Sequence, residues 1–302
     1  MPLRDPVFNP PFNIVRASHV ELGVADLMRS RAFYVDCLGY IVSDEDKDAL
    51  YLRGVEERNH HSVVLRRSND IAALAIGFKV GSEEDLDKAA EWLTARKLPV
   101  SWPNVPFQGR TLRTVDPVGM PVDLYFKMDR VKSMLQKYAA YQGARIQRID
   151  HFNCFTPDVQ ASYDFYIQLG FRLTETTETE GTDPKLWAVW LQRRGSTHDL
   201  AFTNGRGPRL HHVGVWNAHA LDILALCRTL AHDGRRAIVA ALHDLNAALR
   251  FADDAVLLDR GRVAGTGSAA EVLTPEAVRR VFGVRVTTIE GAAGVVLGFD
   301  RE

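Results

Sequence analysis

The chain has 302 residues, 46% apolar and 25% charged, which are the proportions of a folded globular protein with room for two ordinary domains. Thirty-seven Lys and Arg against 38 Asp and Glu leave a net charge of −1, which removes the electrostatic reason to expect nucleic acid or an anionic membrane as the main partner. Three separated cysteines (Cys37, Cys154, Cys227), no apolar run near the ~18 residues of a membrane span and no secretory leader at the start point to a reduced, cytoplasmic setting.

In chain order, the first recognisable segment is His19-Val20-Glu21-Leu22-Gly23-Val24, followed by Asp26, Ala32-Phe33-Tyr34 and Leu38-Gly39-Tyr40. It reads as a short strand, an Asp-capped helix and a glycine stop leading into another strand. His60 and His61 precede an apolar strand and read as exposed turn residues. Residues 73–80 predict a strand and 83–96 an amphipathic helix. Strands at 111–115 and 122–126 then flank a turn at 116–119.

The pattern returns at His151-Phe152-Asn153-Cys154-Phe155, with Asp158, Asp164-Phe165-Tyr166 and Leu169-Gly170-Phe171. His to Asp is seven residues in both copies. A further strand at 210–216 and a helix at 221–230 open a fourth unit. The expected fold is α+β, built of repeated βαβββ modules, two per domain. The fourth module does not finish. After Gly234 the sequence turns rich in Ala, Arg and Val, and the repeat is lost near 233–236. The expected domains are 1–140, an incomplete 141–233, and a separate tail, 234–302.

Three passages carry a resemblance: Arg148-Ile149-Asp150-His151-Phe152-Asn153, the run from Trp190 through Gly195-Ser196-Thr197-His198-Asp199, and Thr203-Asn204-Gly205-Arg206-Gly207-Pro208-Arg209-Leu210-His211-His212-Val213. Through them residues 1–233 resemble the type I extradiol ring-cleavage dioxygenases of the vicinal-oxygen-chelate fold, most of all those acting on homoprotocatechuate (3,4-dihydroxyphenylacetate). The resemblance implies ring cleavage of a catechol by O₂ at Fe(II) or Mn(II), in aromatic catabolism. It implies His151 and His212 as metal ligands, His198 as the acid–base histidine, Asn153 and Trp190 as pocket residues, and a homo-oligomer, commonly a tetramer. Two histidines and one carboxylate suit such chemistry because they hold a mid-row divalent metal and leave positions open for both reactants. His211, next to His212 on a strand, should face the other way. In the first domain His19 takes the place of His151, and Ala75 that of His212. Asp123 stands where the carboxylate belongs, so this domain should be structural and metal-free.

The carboxylate of the second domain should fall near position 260, where Leu258-Asp259-Arg260-Gly261-Arg262 lacks the family's context. Glu290, Asp259, Asp244 or a water are the candidates for a third ligand. The tail resembles the C-terminal end of an ABC-type ATPase subunit of haem and iron-siderophore importers. Ala241-Leu242-His243-Asp244-Leu245-Asn246 looks like its switch-histidine region, and residues 254–267 like its strand–turn–strand. No GxxxxGK[ST] phosphate loop occurs, so His243 is expected to be vestigial. Loss of the fourth module's strands should also leave a sheet edge open. Two other classes stay open. A non-catalytic binding protein of the same fold would bind ligand without consuming O₂, and an accessory module of an importer would co-purify with transporter subunits.

Overall fold

A computed structural model describes residues 3–195, 197–217, 220–233, 236–291 and 294–299. Its contacts divide the chain into two units, Met1–Ala218 and His219–Glu302.

In the first unit the repeat becomes geometry. Strand β1 (Ile14–Val24) is followed by Asp26, whose carboxylate accepts from the Arg29 N–H at 3.0 Å and so starts helix α1 (Leu27–Arg31). The helix runs on as a π-helical turn over Ala32–Cys37 and stops at Gly39, whose φ of 75° needs a glycine. Strands β2 (Ile41–Glu45), β3 (Ala49–Arg53) and β4 (Val63–Arg67) complete the module. The third module repeats each step. β8 (Ile146–Thr156) leads to Asp158, which caps α3 (Val159–Gln168) through the Ala161 N–H at 2.9 Å; after it come β9 (Arg172–Glu178), β10 (Leu186–Gln192) and β11 (Leu200–Asn204). In both modules the first strand pairs in parallel with the last, Val20 opposite Val63 and Phe152 opposite Leu200.

The second module has β5 (Ala73–Val80), α2 (Glu83–Ala95), β6 (Thr111–Val115) and β7 (Pro121–Tyr125). Its turn is held by Asp116, whose Oδ1 accepts from the N–H groups of Val118 and Met120 at 3.1 and 2.8 Å. The fourth module supplies β12 (Arg209–Asn217), antiparallel to β8. Here the copies part. β7 flanks β5 in a seven-stranded sheet of order β2-β3-β4-β1-β5-β7-β6, whereas β12 ends a five-stranded sheet of order β12-β8-β11-β10-β9. Among the described residues, no strand pairs with β12 as β7 pairs with β5.

The two sheets close on one core. Phe78 of β5 meets Phe152 of β8 and Phe171 edge-on, with ring centroids 5.8 and 5.9 Å apart, and Trp92 packs on Phe165 at 5.5 Å. Residues 1–140 and 141–217 therefore share their apolar interior, which no local pattern announces.

The second unit begins with α4 (Ala220–His232), ahead of the compositional break at 233–236. The helix is tied to α5 (Leu245–Phe251): the Arg228 guanidinium donates to the Arg250 carbonyl at 2.9 Å, and His232 meets Asp253 at 3.0 Å. β13 (Asp254–Asp259) and β14 (Arg262–Ser268) form a hairpin. A capping box between Ser268 and Glu271 starts α6 (Ala269–Val272), and Thr274 with Pro275 starts α7 (Pro275–Phe282), which stops at Gly283. β15 (Val286–Gly291) and β16 (Gly294–Phe299) form a second hairpin. Leu257, Val272 and Leu273 make one small core, and Val278, Val286 and Leu297 another. No described helix is long and apolar enough to cross a membrane.

Candidate metal centre

Strand register assembles the candidate site. Reading across the five-stranded sheet, His212 on β12 is opposite Asn153 on β8, Asn153 opposite Ala201 on β11, Ala201 opposite Trp190 on β10, and Trp190 opposite Glu175 on β9. Cross-strand partners share a face, and His151 lies two residues before Asn153, so it shares that face too. Gly214 stands opposite His151, and a Cβ there would collide with the imidazole. The glycine makes room for the ring.

Three of the proposed residues meet directly. The Nε2 atoms of His151 and His212 are 3.2 Å apart, and the His198 ring lies with its centroid 4.0 Å from that of His151. Asn153 is buried and accepts from the Thr203 hydroxyl at 3.3 Å, while Trp190 is half-buried further along the row.

Behind this face sits Asp150. Its Oδ2 is 2.9 Å from His151 Nδ1, its Oδ1 accepts from the Trp216 indole N–H at 2.7 Å, and the Arg194 guanidinium donates to its backbone carbonyl at 2.7 Å. Burial alone would raise the Asp150 carboxyl. The hydrogen bonds from His151 and Trp216 outweigh it and hold the group below its ordinary range. A carboxylate only accepts, so His151 carries its proton on Nδ1 and presents a bare Nε2. His212 Nε2–H then donates to His151, and His212 Nδ1 accepts from His211 Nδ1, 2.6 Å away. The His212 imidazole is held down to about 4, first by burial against its neighbours and then by the other imidazoles around it. Burial lowers His198 as well.

The His211 contact corrects an expectation. A β-bulge between Leu210 and His212 breaks the strict alternation of β12, so the neighbouring rings meet instead of facing apart. Asp150, Trp216 and Arg194 escaped the sequence reading. The one signal was that Asp150 adjoins His151.

The first half carries the same frame. His19 is opposite Gly77, Gly77 opposite Asp123, and Asp123 opposite Arg113. A Cβ at Gly77 would collide with the His19 ring, as at Gly214. Glu21 faces Ala75 as Asn153 faces His212, so Ala75 does occupy the His212 position. His61 stands two residues before Val63, and His198 two before Leu200. Their strands pair alike, so His61 is the counterpart of His198. The reading of His60 and His61 as exposed turn residues is therefore wrong. They are 5% and 1% exposed, His60 stacked on Phe107 at 3.8 Å and His61 edge-on to His19 at 5.5 Å. Asp123 is committed to Arg113, which donates from Nε and Nη2 at 2.7 Å each.

Two imidazole nitrogens bound at ~2.1 Å and at right angles on one ion are about 3.0 Å apart, close to the His151–His212 spacing. That pair, with its Asp150 orienter, fits a divalent metal. Among the described residues no three His, Cys, Asp or Glu side chains converge as a metal site. The reason is topological. Asp123 rides on β7 beside β5, and among the described residues no strand pairs with β12 in the equivalent place. Of the candidates in the second unit, Asp244 caps α5 by accepting from Asn246 and Ala247 N–H at 3.0 Å each, Asp259 lies at the end of β13 near Arg260, and Glu290 faces Val295 across the β15–β16 hairpin.

Comparison with known proteins gives this frame its class. Residues 16–115 and 148–263 match the model of the Glyoxalase/Bleomycin resistance protein/Dioxygenase superfamily, and the chain belongs to that superfamily. Homologues that align with about two thirds of the chain, and its structural neighbours, are extradiol catechol dioxygenases. The structure of homoprotocatechuate 2,3-dioxygenase from Brevibacterium fuscum, in complex with 3,4-dihydroxyphenylacetate, is 34% identical and superposes with a TM-score of 0.72 over 85% of this chain and 81% of that one. A manganese-dependent 2,3-dihydroxybiphenyl 1,2-dioxygenase of Geobacillus genomosp. 3 is 25% identical over 70% of this chain and 71% of its own. A stretch of 71 residues, 24% of the chain, is 39% identical to the hemin import ATP-binding protein of Bordetella pertussis and spans 27% of that protein.

Proposed function

We propose that the chain carries out extradiol cleavage of a catechol, 3,4-dihydroxyphenylacetate or a close analogue, with a single Fe(II) or Mn(II) held weakly by His151 and His212. The observation that carries this reading is the 3.2 Å meeting of the two Nε2 atoms beside His198. Such an ion, when bound, supplies a place where catechol and O₂ come together. The protein's own part is narrower. Asp150 keeps the His151 proton on Nδ1, leaving Nε2 as a donor pair. His212 gives up its Nε2 proton or moves it to Nδ1, which requires His211 to turn from donor to acceptor. His198, uncharged at neutral pH because burial lowers it, accepts a catechol proton and later returns it. Asn153 and Trp190 line the space beside the pair. In the overall reaction the C–C bond next to the diol breaks, and both oxygen atoms of O₂ enter a muconic semialdehyde.

The test is anaerobic loading with Fe(II) or Mn(II), followed by O₂ uptake with 3,4-dihydroxyphenylacetate. Uptake with a yellow ring-opened product, lost in His151→Ala and His212→Ala, is the expected result. A folded protein that retains no metal and consumes no O₂ at saturating metal would overturn the proposal.

A further inference from the structure

Away from the histidines, β1 and β5 place two cations face to face. Arg16 is the cross-strand partner of Lys79, and like charges directly opposite on paired strands repel. Both are half-buried, and among the described residues neither has a carboxylate at ion-pair distance; Arg16 donates only to the Ala17 carbonyl, at 3.1 Å. Arg130 joins them from the segment after β7, beside Asn59, and it too has no ion-pair partner among the described residues. Burial, and after it Arg16 and Arg130, hold the Lys79 ammonium below its ordinary range.

The three surround a cavity of about 410 Å³. Two carboxylates border it, Glu56 and Glu57, and the second also attracts Arg16 without reaching ion-pair distance. Glu56 pairs with Arg148, and Glu57 accepts from the Gly54 N–H at 2.7 Å, the Ser62 hydroxyl at 2.5 Å and the Ile149 N–H at 3.2 Å. An adjoining cavity of about 680 Å³ shares Asn59, Lys79 and Arg130. Its walls include Phe107, Phe126 and Gln108, whose side-chain amide is buried with both N and O lacking a partner. Lys79 and Lys127 each reach over the Phe126 ring, at 5.8 and 5.7 Å.

We infer that this cleft binds a small organic anion of at least two negative charges, its charged end between Arg16, Lys79 and Arg130 and its apolar body against Phe107 and Phe126. Such a ligand relieves the repulsion between Arg16 and Lys79, supplies charge-assisted hydrogen bonds to three cations, and gives the Gln108 amide a partner. A compact inorganic anion would satisfy the first two needs and leave the aromatic walls unused.

The experiment uses the full chain in low-salt buffer with trimesate, an aromatic tricarboxylate, and with inorganic pyrophosphate as the compact control. Calorimetry and thermal melts are expected to show saturable binding of one trimesate per chain, raising the melting temperature and fading with salt. Lys79→Met and Arg130→Met should each weaken it about tenfold. Without ligand Lys79→Met should melt higher than the parent, because the facing charges are gone. Lys88→Met, whose charge is paired with Glu84 on α2, should behave as the parent. Absence of a trimesate effect, or an equal effect in Lys79→Met, overturns the site. Pyrophosphate binding as tightly as trimesate overturns the role given to the aromatic walls.

Discussion

Asp150 grips Nδ1 of His151 at 2.9 Å and thereby turns the opposite nitrogen of the ring toward His212. Partners of this kind set both tautomer and basicity, and their loss typically weakens metal binding about 10–100-fold. Asp150→Asn should therefore lower Mn(II) affinity by at least about tenfold while the urea midpoint moves little. Electron paramagnetic resonance of free Mn(II) during an anaerobic titration reads the affinity directly. Unchanged affinity would mean that the Asp150 contact does not govern the ring.

The two glycines that face histidines give a paired test. Gly77→Ala drives a methyl group into the His19 ring inside a packed core, and should cost about 1–3 kcal/mol. Gly214→Ala meets His151 on an edge strand where the backbone can yield, so it should cost less stability and more metal affinity. Urea unfolding of both variants, with the Mn(II) titration of the second, decides the order. Equal stability losses would show that β12 is held as firmly as β5.

Acid stability should show two opposed groups. His19 is wholly buried and falls from 6.5 to about 4, chiefly by burial. Its stability is complete above 6.5 and is lost as pH falls toward about 4, because the unfolded chain takes up the proton first; the loss approaches about 3 kcal/mol. Asp116 rises from 3.8 to about 6, again chiefly by burial, so its contribution is present below 3.8 and lost as pH climbs through about 6. The two nearly offset. His19→Gln should gain relative to the parent on going from about pH 7 to about pH 4, and Asp116→Asn should lose, each by about 3 kcal/mol. Parallel urea midpoints in all three proteins would contradict both assignments.

Arg113 is the counter-charge of a buried carboxylate. Asp123 is 1% exposed, and Arg113 bridges it to Glu21, itself 3.2 Å from the same guanidinium. Arg113→Met strands that charge and should cost about 3–5 kcal/mol, while Arg113→Met with Asp123→Asn should recover a good part of it. Thermal or urea melts of the double-mutant cycle measure the coupling. Additive losses would mean that the pair is not energetically linked.

How much of this was readable beforehand depends on whether a feature is local or made by register. The strand at 73–80, the Asp26 and Asp158 caps, and the stops at Gly39 and Gly170 rest on neighbours in the chain, and each is found where the spacing placed it. The repeat also places Ala75 against His212. What failed needed the pairing of distant strands. His61 looks like a turn residue until β1 and β4 are aligned beside β8 and β11. The bulge at His211 and the hold of Trp216 on Asp150 depend likewise on how β12 lies along β8.

Among the described residues no strand pairs with the outer flank of β12, which makes that edge a case for complementation. Its outward N–H and C=O groups form a template for one more strand. In the intact half that place belongs to the strand bearing the buried carboxylate. A peptide copying 121–125, supplied in trans, would thus offer that edge both cover and a carboxylate, since the two travel on the same strand.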